Sequence, residues 1–267
     1  MTVLAHAGID HAALVVAGTG LVAAYGASWL RRPRPSAPRL AAWVVGVAGV
    51  AVASLPFMER VAERTFAGHM VQHLLVIIVA APLLVVARPL QTARAAGWLP
   101  VTRAGRRLGA WWHHVAPLLG PGLFVLVLFA THLTPIYDDA LTNRWLHEVE
   151  HAAYLLSACA MWAAVLGVGR HAAVARIGAV FGLIAASAFL GVILLAATAP
   201  LIPTYEARLG TGDALADQRT AAALMWVSGM LTTLPLLVAA VWRWAATEQR
   251  IAERAEALAD AAVVTSR

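Results

Sequence analysis

Long apolar stretches alternate with short polar segments along the whole chain, and this pattern predicts helices that cross a membrane. A membrane-spanning helix needs about 20 mostly apolar residues. Seven segments reach that length, at residues 9–30, 39–57, 66–88, 115–134, 146–168, 176–199 and 222–245. The pattern therefore predicts an all-α membrane protein, a bundle of about seven transmembrane helices within residues 1–245. A helical tail is expected at residues 246–267.

The arginines predict how this bundle is oriented. All twenty basic residues are arginine, and fifteen of them fall in the segments that follow spans 1, 3 and 5 or in the C-terminal tail. Cytoplasmic segments of membrane proteins are enriched in arginine and lysine. We therefore expect the N-terminus outside the cell and the C-terminus, with the helical tail, in the cytoplasm.

Composition agrees with a membrane protein and argues against nucleic-acid binding. Apolar residues make up 61% of the chain and charged residues 13%, whereas soluble domains are about half apolar and a quarter charged. The net charge of +6 comes from arginines placed as a membrane protein would place them. Residues 90–114 mix them with Trp98, Trp111 and Trp112, which is typical of contact with anionic lipid. The one cysteine, Cys159, is predicted to be a packing residue.

Five of the ten histidines are predicted to lie at one shallow level near the outer ends of three spans: His69, His73, His132, His147 and His151. The first two and the last two are i,i+4 pairs, and residues four apart share one face of a helix. Ionisable groups within spans are costly and tend to mark function. Imidazole suits copper, zinc, iron and nickel. The spacing therefore predicts a metal site formed by these five residues.

Polar residues close to the histidines are candidates for orienting their rings. Gln72, Glu148 and Glu150 lie within the same two spans as the histidine pairs. Groups that bond the second ring nitrogen of a histidine fix its orientation and its tautomer. We expect these three side chains to hold ring N–H groups.

The stretch from His147 to His151 also fits two zinc-protease motifs. His147, Glu148 and His151 match H-E-x-x-H, and the same stretch matches the inverted motif H-x-x-E-H. Membrane proteases of this kind add a later acidic motif, typically Asp followed by Gly. Here Asp213 is followed by alanine and Asp217 by glutamine. The protease interpretation is therefore weaker than a non-hydrolytic metal site.

Two further interpretations of the histidines stay open. A bis-histidine haem would need His73 with His151, or His69 with His132, on facing helices. A copper transporter would need polar residues deeper in the bundle, and spans 3, 5 and 6 carry few of them below the histidines.

Three runs of sequence resemble a known family. They are HMVQHLLVIIVAAPLLVVARP, THLTPIYDDALTNRWLHEVEHAAYLLSACAMWAAVLG and PLIPTYEARLGTGDALADQRTAAALMW. Together they closely resemble the CtaG-type multi-pass membrane factors that assemble cytochrome c oxidase. The resemblance covers spans 3 to 7.

The resemblance implies a non-enzymatic role in making an active haem–copper oxidase, in a bacterial-type plasma (inner) membrane. The five histidines then become candidate copper ligands, with Asp217 and Met225 as accessories. Met70 and Met225 add soft sulfur for Cu(I). The implied partners are the oxidase subunit that carries the copper centre and an extracytoplasmic copper donor.

Overall fold

The structure, a computed structural model, describes residues 11–32, 36–166 and 173–265. The beginning of predicted span 1 and the end of predicted span 5 lie outside these ranges. Within them the chain forms helices and no strand, which confirms the all-α class. The helices are α1 (His11–Leu30), α2 (Ala37–Ala53), α3 (Pro56–Arg64), α4 (Phe66–Leu74), a π-helical segment (Leu75–Ala80), α5 (Ala81–Ala87), α6 (Pro89–Ala95), α7 (Arg103–His132), α8 (Ile136–Ala140), α9 (Arg144–Leu166), α10 (Ala173–Ala196), α11 (Pro203–Leu209) and α12 (Thr211–Thr265).

Five stretches of helix are long and apolar enough to cross a membrane, and they match predicted spans 3 to 7. They are Phe66–Ala95, His114–His132, Arg144–Leu166, Ala173–Ala196 and Thr211–Leu258. The bent pair α2–α3 makes a sixth if it is counted as one span. In α1 the apolar helix from Val16 to Leu30 is shorter than these stretches. The seventh crossing therefore stays a prediction, and so does the orientation of the termini.

Predicted span 2 is broken by a proline. The helix expected over residues 39–57 ends at Ala53, and the chain bends by 53° into α3. Pro56 opens α3 and holds Leu55 in an extended conformation. Helix α3 then packs on α4, where a Cβ at Gly68 would lie 2.4 Å from the carbonyl oxygen of Val61. Only glycine permits this contact, which brings α3 over the histidine-bearing helix.

Predicted span 3 changes its helical register in the middle. The N–H of Ala81 bonds to the carbonyl of Val76, five residues back, as in a π-helix. The next residue, Pro82, has no N–H, so the carbonyl of Ile77 lacks its donor in this register. The indole Nε1 of Trp162 in α9 donates to that carbonyl at 2.7 Å. The π-helical segment is thus bonded to α9 directly below the histidines.

Predicted spans 4 and 7 continue beyond their apolar parts. Helix α7 begins at Arg103, where the Thr102 hydroxyl caps it by accepting from the N–H of Gly105 at 3.0 Å. Helix α12 runs to Thr265, so residues 246–265 continue span 7 as one helix. The placement of this tail in the cytoplasm stays a prediction.

A core of aromatic and aliphatic side chains joins the segment α4–α5 to α7, α9, α10 and α12. It includes Phe66, Tyr154, Trp162, Leu190 and Met225. Large apolar side chains such as Leu118 and Phe181 point outward, as they would toward lipid tails. The histidine site lies at one end of this core.

Candidate metal centre

The start of α4 is fixed by two side chains, which sets the position of His69 and His73. The Thr65 hydroxyl accepts from the N–H of Gly68 at 3.0 Å. The Asp217 carboxylate accepts from the N–H groups of Phe66 at 2.6 Å and Ala67 at 3.2 Å. A carboxylate is favourable at a helix N-terminus. Asp217 was expected as an accessory to the metal, but it binds the backbone of the helix that carries two of the candidate ligands.

Three of the predicted histidines come together in the interior. His69, His73 and His151 each offer a ligand atom, and these atoms lie within 4.8 Å of one another. The first two rings are buried, with centroids 4.4 Å apart, and the ring of His151 lies 5.0 Å from that of His73. This spacing brings two helices, α4 and α9, to one position where an ion can be held.

His147 adjoins this group on its outer side. Its ring centroid is 4.3 Å from that of His151 and 5.4 Å from that of His69. The half-buried His147 therefore extends the group to four neighbouring imidazoles. We call His69, His73, His147 and His151 the histidine cluster.

The fifth predicted ligand, His132, lies beside the cluster and does not complete it. It closes α7, and its Nδ1 lies 2.9 Å from the carbonyl oxygen of Leu128 in the preceding turn. The hydroxyl of Tyr154 is 3.2 Å from the same nitrogen, and the Tyr154 ring stands 4.5 Å from that of His73. His132 is not among the three grouped ligand residues, and its Nδ1 is engaged by its own helix, a contact that the position of the residue along its span does not predict.

Hydrogen bonds define which nitrogen of His69 is free. The hydroxyl of Tyr205 donates to the carbonyl of Ala62 at 2.7 Å, and its oxygen lies 3.3 Å from Nδ1 of His69. Both contacts are satisfied when Nδ1 of His69 carries the proton and donates a hydrogen bond to the phenolic oxygen of Tyr205. The lone pair of Nε2 is then directed away from Tyr205. Such an arrangement is typical of metal-binding histidines.

Several buried polar atoms at the cluster have no hydrogen-bond partner among the described residues. They are Nε2 of His69, both ring nitrogens of His73, Nε2 of His151, Nε2 of His132 and both oxygens of Glu150. Buried polar groups are nearly always paired in native proteins. Their concentration around one position fits a cation that binds there.

The three polar residues expected to orient the rings have different roles. The Gln72 amide donates to the carbonyl of Ala53 at 2.7 Å, so it ties α4 to α2 and does not hold a ring. The buried Glu150 carboxylate lies 3.7 Å from Nε2 of His73, at ion-pair distance. Glu148 is half-buried and faces a small opening above the cluster.

That opening is lined by carboxylates and leads to two of the histidines. It holds about 50 Å³ and brings Glu59, Glu63 and Glu148 together with His69 and His147, and its lining also includes one cation, Arg144, so carboxylates outnumber cations three to one. We call these three glutamates the acidic entrance. Glu59 and Glu63 were not predicted as site residues. Their i,i+4 spacing, on a stretch directly before Thr65, is the signal from which they could have been found.

A second small cavity adjoins the cluster on the side of the apolar core. It holds about 60 Å³ and is lined by His73, His132 and Tyr154, together with apolar side chains. Four methionines share this lining: Met70, Met161, Met225 and Met230. Met70 and Met225 were expected as soft donors, whereas the other two were not. Cys159, as predicted, is a packing residue of the core.

Two tyrosines outside the spanning helices enclose the cluster from α8 and α11. The buried ring of Tyr137 lies 4.8 Å from that of His69, and Tyr205 contacts the same histidine. Burial raises the pKa of both hydroxyls well above the ordinary value near 10. At neutral pH both phenols are therefore protonated, and nitrogens are the available donors for a metal.

Comparisons with known proteins agree with the sequence motifs. The family described as cytochrome c oxidase caa3 assembly factor (Caa3_CtaG) matches residues 22–247. Uncharacterized proteins of Mycobacterium bovis and Mycobacterium tuberculosis are each 28% identical over 270 residues, which cover 93% of this chain and 40% of the relative. An uncharacterized protein of Mycobacterium leprae is 26% identical over the same extents. The chain thus spans less than half the length of these relatives. No solved structure matches it significantly.

Proposed function

Because this chain belongs to the family of cytochrome c oxidase caa3 assembly factors, we propose that it helps an oxidase acquire its copper. The ion would be held as cargo by the histidine cluster and passed to the oxidase subunit that carries the copper centre. The observation that carries this proposal is the grouping of His69, His73 and His151, with ligand atoms within 4.8 Å of one another and no competing hydrogen bond at their Nε2 atoms.

The donor set favours copper over other metals. Imidazole nitrogen binds copper more strongly than zinc, and thioether sulfur selects Cu(I). The four methionines that line the adjoining cavity place soft donors beside His73 and His132. Mg²⁺ and Ca²⁺, by contrast, prefer sites built from oxygen ligands. We therefore infer that Cu(I) is the form held.

The surplus of ligands suits a protein that must both bind and release. A cluster of four imidazoles with His132 nearby offers more nitrogens than a linear or trigonal Cu(I) needs. The ion can then pass to an acceptor stepwise, as imidazoles of the acceptor replace those of the cluster one at a time. The acidic entrance supplies negative charge above His69 and His147, where an extracytoplasmic donor would deliver the ion.

Haem fits the site poorly. The cavities beside the cluster hold about 60 and 50 Å³, whereas sites for cofactor-sized ligands hold about 300–1,000 Å³. The imidazoles also pack against one another, with His147 and His151 at 4.3 Å between centroids. A porphyrin would have to separate helices that are in contact. The site therefore accommodates an ion more readily than a haem.

Metal content measured on the detergent-purified full-length protein tests the proposal. The protein is loaded with Cu(I) under reducing conditions, washed, and compared with His73→Ala/His151→Ala, His132→Ala and His114→Ala. We expect about one bound copper in the wild type and a loss of affinity of 100-fold or more in the double variant, since removing even an outer partner of a ligand costs about 10–100-fold. The loss in His132→Ala should be smaller. His114, an exposed histidine near the middle of the long α7, is the matched control and should bind like wild type.

Other outcomes separate the alternatives. An absorption band of haem in the wild type would contradict the copper proposal. Tight zinc in place of copper, together with hydrolysis lost in Glu148→Gln, would favour the protease interpretation. If copper binds as expected, the copper content of the oxidase is measured in a deletion strain carrying each variant. An unchanged oxidase copper content in the deletion strain would contradict the role in assembly while leaving the metal site intact.

A further inference from the structure

A large cleft lies in the part of the bundle away from the histidine cluster. It has a volume of about 920 Å³ and is lined by residues of α2, α5, α6, α7, α9 and α10. The volume falls in the range of sites that hold sizeable organic ligands. Neither the histidines nor the acidic entrance take part in its lining. It is therefore a separate feature of the molecule.

Four arginines line this cleft: Arg39 of α2, Arg88 between α5 and α6, Arg94 of α6 and Arg176 of α10. Among the described residues that line the cleft there is no aspartate or glutamate. In the described part of the chain, no ion pair joins Arg39, Arg88 or Arg94 to a carboxylate. Arginine remains charged in proteins, and its planar group matches phosphate geometry. The cleft therefore has an excess of positive charge that suits an anionic ligand.

The backbone at Arg88 is held in an uncommon conformation. Arg88 has φ 53° and ψ 56°, in the left-handed region, and it is the one non-glycine residue with positive φ among those described. Such a conformation costs free energy and persists where the surroundings impose it, often at a binding site. Here it turns the chain between α5 and α6 and places Arg88 in the lining.

Apart from Gln91, the rest of the described lining is mainly apolar. Leu84, Leu155, Leu156, Ala160 and Ala163 contribute to it from α5 and α9. A small soluble anion gains nothing from such a surface, whereas an acyl chain gains about 0.8 kcal/mol for each buried CH₂ group. The lining thus combines four guanidinium groups with an apolar wall, and a phospholipid has a matching combination of an anionic head group and acyl chains.

We propose that this cleft is a specific site for an anionic phospholipid. The arginines bind the phosphate of the head group, and one acyl chain lies along α5 and α9. Basic pockets between transmembrane helices at the cytoplasmic side are a known mode of lipid recognition, and this end of the bundle is the arginine-rich end that the sequence predicts to face the cytoplasm. A lipid without net charge meets the same apolar wall but leaves the arginine excess uncompensated.

Native mass spectrometry of the delipidated full-length protein tests the site. Phosphatidylglycerol and phosphatidylcholine with the same acyl chains are added separately, and bound lipid is counted. The test variant is Arg39→Gln/Arg94→Gln, which keeps the backbone at Arg88 unchanged. The matched control is Arg250→Gln/Arg254→Gln, two exposed arginines of the α12 tail that are not among the lining residues of the cleft.

We expect wild type to retain phosphatidylglycerol in preference to phosphatidylcholine. The Arg39/Arg94 variant should bind phosphatidylglycerol about 10- to 30-fold more weakly, from the usual contribution of an arginine near an anionic lipid. The control should stay within about twofold of wild type. A second variant, Ala163→Trp, fills the apolar wall, leaves all four arginines in place and should also weaken binding of phosphatidylglycerol.

Three results would overturn the proposal. One is equal retention of the two lipids by wild type. Another is unchanged phosphatidylglycerol binding in both the arginine variant and Ala163→Trp. The third is binding of glycerol 3-phosphate as tight as that of the lipid, since this would show a site for a soluble anion. Copper binding is measured on the same samples, and its loss or retention does not bear on the lipid site.

Discussion

The histidine cluster and the cleft lined by arginines both place polar side chains against the same apolar bundle. They differ in whether the charge of those side chains can change. The cluster consists of imidazoles and lies beside the buried Glu150 carboxyl, and the charges of these groups depend on protonation and on a bound ion. The cleft consists of guanidinium groups, which stay charged. The first arrangement suits a cation that arrives and leaves. The second suits an anion that stays, as a structural lipid does.

The two regions also share their supports. Helix α9 carries His147 and His151 near its start and lines the cleft with Leu155, Leu156 and Ala163 farther along. The segment from α4 through α5 likewise runs from His69 to the cleft. A change in one region can therefore reach the other through these two supports. Paired variants, one in each region, measure whether it does.

The largest effect that separates the two regions is expected from a pair of tyrosines. Tyr205 at the cluster and Tyr25 near the cleft are both buried. The hydroxyl of Tyr205 donates to the carbonyl of Ala62 at 2.7 Å, and the hydroxyl of Tyr25 donates to the carbonyl of Ala87 at 2.8 Å. Only Tyr205 also contacts a ring nitrogen, that of His69. Tyr205→Phe should weaken copper binding by about 10–100-fold, because it removes the group that fixes the free nitrogen of His69.

Tyr25→Phe is the control for this prediction. It removes an equivalent hydrogen bond, worth about 1 kcal/mol of stability, and should leave copper affinity unchanged. Copper affinity is measured by competition with a chelator, and the free energy of unfolding is followed for both variants. Equal losses of copper affinity in Tyr205→Phe and Tyr25→Phe would mean that general loosening of the bundle, and not the ring orientation, determines binding.

The next largest effect is expected from a lower pH, which should weaken copper binding at the cluster but not lipid binding at the cleft. An imidazole must be unprotonated to bind a metal, so copper affinity should fall as the pH is lowered from 7 into the acidic range where the rings of the metal-free cluster become protonated. Once the free rings are protonated, each imidazole that binds the ion must lose one proton, so the affinity should fall by about tenfold or more for each further pH unit. Binding of phosphatidylglycerol should stay constant over this range, because arginine does not titrate there. Copper binding that is independent of pH would contradict ligation by the histidines.

The sequence was sufficient to predict the parts of the site that depend on local spacing. Each i,i+4 pair shares a helix face, so His69 with His73 and His147 with His151 followed from the helix period alone. The grouping of His69, His73 and His151 followed from equal depth in two spans. These features need only the position of each residue along its own helix.

The rest depended on contacts that spacing does not encode. His132 has the right depth, but its ring bonds to the carbonyl of Leu128 in its own helix. Asp217 was expected at the outer start of span 7 as an accessory to the metal, and its carboxylate instead caps α4 through Phe66. The break at Pro56 could have been foreseen from the residue type, yet the position of α3 over the cluster depends on the tertiary contact at Gly68. A bond within one helix, a hydrogen bond between distant segments and a close backbone contact decided these three cases, and none of them follows from spacing along the chain.

The smallest expected effect concerns the acidic entrance, and it separates the rate of copper binding from its strength. Glu59 and Glu63 line the opening above His69 and His147 but are not among the grouped ligand atoms. Glu59→Gln/Glu63→Gln removes two negative charges from the path of the ion. Because exposed charges steer association and are screened by salt, the rate of Cu(I) loading should fall about 3- to 10-fold at low ionic strength and converge on wild type at high salt. The equilibrium copper content should change little.

Glu253→Gln/Glu256→Gln, two exposed glutamates of the α12 tail, provides the matched loss of charge away from the site. Stopped-flow loading at two salt concentrations decides the point: an equal slowing in both variants would assign the effect to net charge and not to the acidic entrance, and a lower copper content at saturation would make the glutamates ligands in their own right.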